Sequence, residues 1–283
     1  MADPVDSFVA SFLDADLERA RAVLGECLDL LPAGGYQAHP LLRRCVAANG
    51  GRCHRAGQLQ IAELLLPEEI GQVRDLIVGG EVAGLQRLLS GDPALLEAEF
   101  TAGRGIGRPI HHWVELGLGE VLVAAGADLG ALNSLGESAL AMQCRFGSVA
   151  GLRLLLAHGA DPNLGQPGHP PSGTMEERIG LLLAHGWKLD SRLMLHDAKH
   201  GHGERVRVWL SHGADPNAQM DDGRTALHLF AGTGKGEQAI RSLVAAGAQI
   251  DVVDPAGNTP LDIARQAACE SAARTLSELA ASP

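Results

Sequence analysis

The sequence is poor in aromatic residues, in lysine and in long apolar segments. Phe, Trp and Tyr make up 3% of the 283 residues, whereas glycine occurs 36 times and 46% of the residues are hydrophobic. Small and aliphatic side chains suit closely packed helices better than β-sheets, which favour β-branched and aromatic residues. The composition is that of a globular chain long enough to bury a core, and it favours a helical fold.

Features of membrane and secreted proteins are equally scarce. No apolar stretch approaches the roughly 20 residues that a membrane-spanning helix needs. The first residues, MADPVD, are acidic and carry no basic segment followed by an apolar run. The five cysteines are an odd number and include no Cys-x-x-Cys pair, which argues against a disulfide framework. We therefore expect a cytoplasmic protein that does not bind membranes.

Positive charge is the minority charge. The formal net charge is -11, so the chain has no electrostatic reason to bind nucleic acid or an anionic membrane. Arginine supplies almost all of the basic residues, since lysine occurs only at Lys188, Lys199 and Lys235. This bias, together with abundant Ala and Gly, indicates a GC-rich genome, and we expect a bacterial source.

Recognisable catalytic and cofactor-binding motifs are missing. There is no Gly-x-Ser-x-Gly nucleophile elbow and no pair of carboxylates in a recognisable setting. The segment Gly103–Gly107 resembles part of a phosphate loop but lacks the Gly-Lys-Ser/Thr ending. Cys45, Cys53 and His54 would supply only three of four zinc ligands. We therefore expect no enzyme, no catalytic residue, no cofactor and no metal.

One phrase recurs along the chain. Residues 153–163 read RLLLAHGADPN and residues 207–217 read RVWLSHGADPN, with variants at 121–131, 181–191 and 242–252. Apolar residues three and four apart before each glycine predict a helix. Glycine then ends the helix, because it takes the left-handed conformation without steric cost. The glycines concerned are 33, 27, 27 and 34 residues apart, at Gly126, Gly159, Gly186, Gly213 and Gly247.

A second phrase precedes some of these helices. Residues 222–231 read DGRTALHLFA and residues 256–264 read AGNTPLDIA. Thr225 and Thr259 stand where a helix N-cap needs a side-chain acceptor, and Pro260 falls in the first turn, where its missing N–H costs little. Each unit is thus a turn, a short helix, a turn, a longer helix and a loop. Stacking such units buries an apolar face that one unit alone cannot bury.

The period and both phrases resemble the ankyrin repeat, whose pattern has Thr-Pro-Leu-His-x-Ala in the first helix and Gly-Ala-Asp after the second. The resemblance is clear over 104–275 and weaker before. It implies an all-α fold, an α-solenoid of roughly seven stacked helix-turn-helix repeats, some truncated or degenerate. We expect degenerate repeats and a cap over residues 1–69, and the repeat solenoid with a closing helix over 70–283. A separate small helical domain before residue 70 is the alternative.

The pattern is irregular between residues 117 and 200. The segment GQPGHPPSG, residues 165–173, replaces most of a first helix, since its prolines and glycines exclude a long helix. The hairpin turn between Gly186 and Gly213 is missing, and the second helix near 117–126 is expected to be short by about one turn. Such irregularity marks either a binding feature or sequence drift.

The resemblance also implies roles for histidine and tryptophan. His111 and His228 stand at the family's Leu-His position, where the imidazole bonds loop backbone and joins neighbouring repeats. Trp113 replaces an inward-facing alanine and is expected in the core, as is Trp209, whereas Trp187 is expected to be partly exposed. His158, His185 and His212 precede the recurrent glycines and are expected at helix C-termini.

A histidine cluster keeps one alternative open. His196 and His200 are four residues apart and could bind one metal ion from one helix face, with His202 nearby. The sequence has no His-Glu-x-x-His motif, and Ala198-x-x-Gly-His fits the ankyrin pattern instead. The alternative function is therefore a metal-binding or enzymatic protein that uses the irregular segment 160–205.

The function that we expect is protein binding, as an adaptor or as an inhibitor or neutraliser of a partner protein. In ankyrin-like units the turn tips and the late first-helix positions point to solvent on the concave face. These positions are Ser134, Leu135, Glu137, Arg145 and Phe146 in one repeat, Asp221, Asp222, Arg224 and Thr233 in the next full repeat, and Asn258 in the last. Phe146 is the strongest candidate, because aromatic and arginine side chains dominate the binding energy of interfaces.

Overall fold

The computed structural model describes residues 3–30, 39–50, 53, 55–102, 105–165, 168–233 and 236–281. The chain separates into two compact units, residues 1–167 and 168–283. All regular secondary structure in the described ranges is helical, and only three isolated antiparallel bridges occur there. The all-α prediction is confirmed, whereas the predicted division near residue 70 stays a prediction.

The first unit contains nine α-helices and two 3-10 turns within its described residues. The helices are α1 (Pro4–Asp14), α2 (Leu17–Leu30), α3 (Pro40–Ala48), α4 (Ala56–Glu63), α5 (Glu68–Val78), α6 (Val82–Gly91), α7 (Leu116–Ala124), α8 (Ala139–Arg145) and α9 (Val149–Ala157). The 3-10 turns are Pro93–Glu97 and Pro109–His111. Residues 49–55 connect α3 and α4, and residues 51, 52 and 54 of this connection lie outside the described ranges.

The N-terminal helices pack around a continuous apolar core. Asp3 caps α1, since its carboxylate accepts a hydrogen bond from the Val5 N–H at 2.9 Å. One face of α1 buries Phe8 and Phe12 completely, at the four-residue spacing of a helical stripe. They meet the buried residues of α3 and α4, among them Leu41 and Ile61. This packing extends helical stacking into the part of the chain where the repeat phrases are weakest.

The second unit is a stack of helix pairs. Its helices are α10 (Met175–Ala184), α11 (Arg192–Lys199), α12 (Gly203–Ser211), α13 (Ala226–Ala231), α14 (Glu237–Ala245), α15 (Pro260–Gln266) and α16 (Glu270–Ala280). The first helices α11, α13 and α15 pack in sequence along one layer, and α10, α12, α14 and α16 pack along a second. Each first helix also packs on the helix that follows it. The unit is therefore a repeat solenoid, as the fold prediction expects, and α16 is its last described helix.

The recurrent glycines end their helices as predicted. All five have left-handed φ values, between 85° at Gly159 and 95° at Gly247, which a side chain would strain. The turn tips are narrow hairpins, with bridges between Leu132 and Ser138 and between Gln219 and Thr225. The spacing of the glycine phrase thus fixes where each second helix stops.

The irregular repeats differ from expectation in one respect. The helix α7 has nine residues, the same as α9 and α12, so the prediction of a shortened second helix there was wrong. The repeat that contains α7 is short because its first helix is reduced to the 3-10 turn Pro109–His111. The regular structure in the described part of residues 165–173 is limited to the start of the 3-10 turn Ser172–Thr174, as the prolines of this segment predict. Among the described residues, no helix is both long and apolar enough to span a membrane.

Candidate protein-binding surface

Phe146 lies at the C-terminal end of α8. Ser138 begins this helix, and its Oγ accepts a hydrogen bond from the Ala141 N–H at 3.1 Å. Phe146 directly follows the last residue, Arg145, and 59% of its surface is exposed. The ring therefore points to solvent at the position that the repeat pattern predicts.

A second apolar side chain lies on the same cleft. Val114 is 73% exposed, and both Val114 and Phe146 line a cleft of about 260 Å³ whose wall also includes Met142 and Gly147. We call these four residues the Phe146–Val114 surface. Sequence reasoning missed Val114; its only signal is an apolar residue between Trp113 and the start of α7.

Glu137 is a correction to the predicted site. It is 7% exposed and accepts a hydrogen bond from Asn133 Nδ2 at 3.1 Å, so the prediction that it points to solvent was wrong. Asn133 Oδ1 in turn accepts from the N–H groups of Leu135 and Glu137, which folds the turn back over the carboxylate. Glu137 also pairs with Arg145, whose guanidinium carbon lies 4.9 Å from the centre of the Phe146 ring. The buried carboxylate thus orients the arginine that stacks on the exposed ring.

Ser134 and Leu135 form the exposed tip of this turn. The backbone N–H of Ser134 donates to the Ile106 carbonyl at 2.8 Å, and its Oγ accepts from the Ile106 N–H at 2.8 Å. The tip is therefore fastened to the preceding turn. Leu135 remains 38% exposed, which leaves it available for contact.

The predicted residues of the second unit lie at another hairpin tip. Asp221 and Asp222 are exposed and Arg224 is half-buried. Arg224 donates to Asp222 Oδ2 from Nε at 2.9 Å and from Nη2 at 2.7 Å. Hydrogen bonds from Arg224 lower the pKa of Asp222. Since this pair neutralises itself, Asp221 carries the net negative charge of the tip.

Thr233 and Asn258 are half-buried, and neither is fully exposed. The Thr233 hydroxyl donates to the Phe230 carbonyl at 3.0 Å. The Asn258 side chain accepts a hydrogen bond from Gln266 Nε2 at 2.9 Å. Their polar groups serve the repeat itself, so of the ten predicted residues these two offer little surface to a partner.

Two histidines join neighbouring repeats through backbone carbonyls. The Arg108 N–H donates to His111 Nδ1 at 3.0 Å, and His111 Nε2 lies 3.0 Å from the Ala131 carbonyl. Burial lowers the pKa of His111. Since Nδ1 accepts from Arg108, the donor to the Ala131 carbonyl is the Nε2–H. His228 makes the same arrangement, with Nε2 3.2 Å from the carbonyl of Asn258. Both histidines have the structural role that the family resemblance implies.

Comparison with known proteins gives the same fold family as the sequence pattern. The family model for ankyrin repeats, in three copies, matches residues 193–283. The chain is an ankyrin repeat protein. Its repeats make it a protein-interaction module, in a family whose members typically act as non-enzymatic scaffolds.

Relatives of known structure extend the likeness beyond the matched repeats. The crystal structure of the ankyrin repeat domain of Bcl-3, described as a unique member of the IκB protein family, is 25% identical with a TM-score of 0.58. It covers 73% of this chain and 97% of that domain. The human ASB11 ankyrin repeat domain, 20% identical over 75% of this chain and 98% of that domain, shares the fold with a TM-score of 0.58.

One curated sequence relative is a much longer protein. The mouse B-cell lymphoma 3 protein homolog is 29% identical over 162 residues, which is 51% of this chain and 36% of that protein. The chain thus spans about a third of the length of this relative. The likeness therefore concerns part of each protein.

The ankyrin core of the first unit contains an unusual tryptophan. Trp113 is 2% exposed, as predicted, and its ring lies against Gly119 of α7 and Gly151 of α9. A Cβ atom at either glycine would come within 2.8 Å of the ring. The indole therefore fits an alanine position because both facing residues lack a side chain. In the second unit Trp209 is fully buried, as predicted, and Trp187 is also buried, with 8% of its surface exposed. The predicted partial exposure of Trp187 was wrong, because its ring centre lies 6.3 Å from that of Trp209 and the two rings pack together.

A buried carboxylate organises the histidines of the second unit. Asp197 on α11 is 2% exposed and accepts hydrogen bonds from Trp209 Nε1 at 2.6 Å and Arg205 Nε at 2.9 Å. His202 Nδ1 and His169 Nδ1 lie 3.4 and 3.5 Å from its oxygens. Burial alone would raise the pKa of Asp197, but the neighbouring His169 and the hydrogen bonds from Trp209 and Arg205 hold it well below its usual range.

Two cysteines of the group considered as zinc ligands, Cys45 and Cys53, lie in the core of the first unit. Cys45 and Cys53 are fully buried, and burial raises the pKa of Cys45 to about 12 and that of Cys53 to about 11. Thiols that stay protonated are poor nucleophiles and poor metal ligands. His54, the third member of this predicted group, lies outside the described residues, as do Gly103 and Arg104 of the phosphate-loop fragment.

Proposed function

We propose that this ankyrin repeat protein binds a partner protein through the Phe146–Val114 surface and acts as an adaptor or as an inhibitor of that partner. The observation that carries the proposal is the exposure of a phenylalanine and a valine on one cleft. Exposed apolar side chains that share a patch mark interaction sites, whereas isolated ones need no explanation. Phenylalanine also supplies the large rigid contact area on which interface energy concentrates.

Contacts within the first unit orient the side chains of this surface. Glu137 fixes Arg145, and Arg145 lies over Phe146. A side chain that is already ordered loses less conformational entropy on binding, which increases the affinity gained per contact. The arginine adds hydrogen-bond donors beside the apolar cleft, a combination typical of interface centres.

The charge of the chain favours a protein partner with a basic surface. The net charge of -11 repels nucleic acid and anionic membranes and would accelerate encounter with a positively charged protein. Asp221, Asp222 and Arg224 form a second candidate contact at their hairpin tip. The likeness to Bcl-3, a member of the IκB family, supports an adaptor or inhibitor role and gives no support to an enzyme built on residues 160–205.

Affinity capture with matched variants tests the proposal. The full chain is immobilised and lysate of the source organism is passed over it, with wild type compared with Val114→Gln and Phe146→Ala. The control is Val78→Gln, because Val78 is 67% exposed and Val114 is 73% exposed, while Val78 lies at the end of α5 and outside the cleft. All variants must melt at the wild-type temperature.

The proposal predicts a dominant partner that wild type and Val78→Gln retain and that both surface variants lose. Retention of the same partner by all four proteins would place binding elsewhere on the chain. An Arg224→Ala variant then reports separately on the hairpin tip of the second unit, where loss of the partner would add that contact.

A further inference from the structure

The second unit contains a group of four histidines that the protein-binding role does not use. The ring centres of His169 and His196 are 4.4 Å apart, those of His196 and His200 are 4.4 Å apart, and those of His200 and His202 are 5.9 Å apart. Three of them, His169, His196 and His202, border a cleft of about 580 Å³ that Asp197 also lines. One ligand atom each from His169, His196 and Asp197 lies within 4.8 Å of the other two.

The fold brings His169 to this place from a distant part of the sequence. His169 belongs to the proline-rich segment before α10, whereas His196 and Asp197 lie on α11. Arg205 fastens the two together, because its Nη1 donates to the Pro170 carbonyl at 2.8 Å while its Nε donates to Asp197 Oδ1 at 2.9 Å. The truncated repeat therefore places a third ligand beside the histidine and carboxylate of the helix.

Hydrogen bonds orient the Asp197 carboxylate, as they do for many carboxylates that bind metal ions. Trp209 and Arg205 donate to Asp197, and such hydrogen bonds from outside the ligand set fix a ligand's direction. Asp197 Oδ2 faces His169 Nδ1 at 3.5 Å, a separation too long for a good hydrogen bond. The Nδ1 atom is buried and has no hydrogen-bond partner among the described residues. His169 Nδ1 and Asp197 Oδ2 thus face each other at a separation close to that of two ligand atoms on one metal ion.

We propose that His169, His196 and Asp197 bind a divalent transition-metal ion of the zinc type. Two imidazole nitrogens with one carboxylate suit zinc, whereas magnesium and calcium prefer oxygen ligands alone. Ligand atoms around a tetrahedral zinc ion lie about 3.3 Å apart, given bonds of about 2.0–2.1 Å. The three atoms here must therefore approach by about 1.5 Å at most, which rotation of the exposed His196 ring supplies. Solvent completes the fourth position.

The ion would clamp the proline-rich segment onto α11. This link would hold two segments of the truncated repeat together, and the proposal assigns no reaction to the ion. The site is confined to the second unit, whereas the Phe146–Val114 surface belongs to the first. Failure of one proposal would therefore leave the other unaffected.

Zinc titration of the full chain by calorimetry, after removal of metal with a chelator, tests the site. Wild type is compared with His169→Ala and His196→Ala. The matched control is His185→Ala, an exposed histidine of the same unit whose Nδ1 lies 2.9 Å from the Leu181 carbonyl of its own helix and which is not part of the cluster. Histidine variants are preferred to Asp197→Asn, because Asp197 also anchors Arg205 and Trp209 and its loss could unfold the unit.

The proposal predicts one zinc ion bound by wild type and by His185→Ala, with affinity at least about tenfold weaker in each cluster variant. Cobalt provides the second readout, since a tetrahedral site gives an intense visible absorption that the two variants should lose and the control should keep. Absence of saturable zinc binding in wild type would overturn the proposal. Unchanged affinity in His169→Ala and His196→Ala would overturn it equally.

Discussion

Replacing Gly119 by alanine should destabilise the first unit, because the new methyl group has no room. Its Cβ would lie 2.6 Å from Cη2 and Cζ3 of Trp113 and 2.8 Å from Cε3. These atoms belong to a rigid ring that is almost fully buried and that Gly151 confines from α9. The ring cannot turn aside without displacing its neighbours.

Two opposing effects set the magnitude. Overpacking a core costs about 1–3 kcal/mol, and contacts as short as 2.6 Å place this substitution in the upper half of that range. Alanine within a helix is favoured over glycine by about 1 kcal/mol. The free energy of unfolding should therefore fall by about 1–2 kcal/mol.

Urea unfolding followed by circular dichroism measures this change, and the chain offers a close control. Gly71 is the fourth residue of α5, as Gly119 is the fourth residue of α7, but a Cβ at Gly71 would meet nothing within 4 Å. Gly71→Ala should stabilise the protein by about 0.5–1 kcal/mol. Stability of Gly119→Ala equal to or above wild type would refute the packing argument, as would a Trp113→Leu background that fails to relieve the cost.

Three further predictions concern histidine and cysteine. Replacing His228 with alanine removes a partner from the Thr225 N–H and the Asn258 carbonyl, which should lower the free energy of unfolding by about 2–3 kcal/mol in urea. The pKa of His111 is lowered in the fold, so below about pH 6.5 the unfolded chain takes up a proton that the folded chain excludes. The free energy of unfolding should therefore fall by up to about 1.4 kcal/mol for each pH unit of acidification. A His111→Gln variant should show a smaller fall between about pH 7 and 5. A thiol reagent should label native protein rapidly at Cys269 alone, because the other cysteines are buried, and Cys269→Ser should abolish that labelling.

The regular repeats could be predicted because one residue type decides each boundary. Glycine alone takes the left-handed helix end without strain, so the recurrent phrase located the ends of five second helices. The length of α7 could not be derived in the same way. Its glycines at 117 and 119 do not shorten the helix; they make room for Val82 and Trp113, a packing requirement that the sequence does not display.

The candidate surface was only partly predictable. The pattern placed Phe146 and Leu135 in solvent but misplaced Glu137, because the fold of its turn depends on hydrogen bonds to the Asn133 side chain. His169 could not be assigned to the histidine cluster, since 27 residues separate it from His196 and only tertiary contacts through Arg205 bring it there. The cytoplasmic location and the bacterial source remain predictions from composition.

The affinity of one variant for the captured partner tests the central claim most directly. The dissociation constants of wild type and Phe146→Ala are measured by titration, with Val78→Gln as the control. If Phe146 anchors the interface, its loss should cost about 2 kcal/mol, which is about a 30-fold weaker dissociation constant, while the control stays within about twofold. Equal affinities of Phe146→Ala and wild type would contradict the claim that this ankyrin repeat protein binds its partner through the Phe146–Val114 surface.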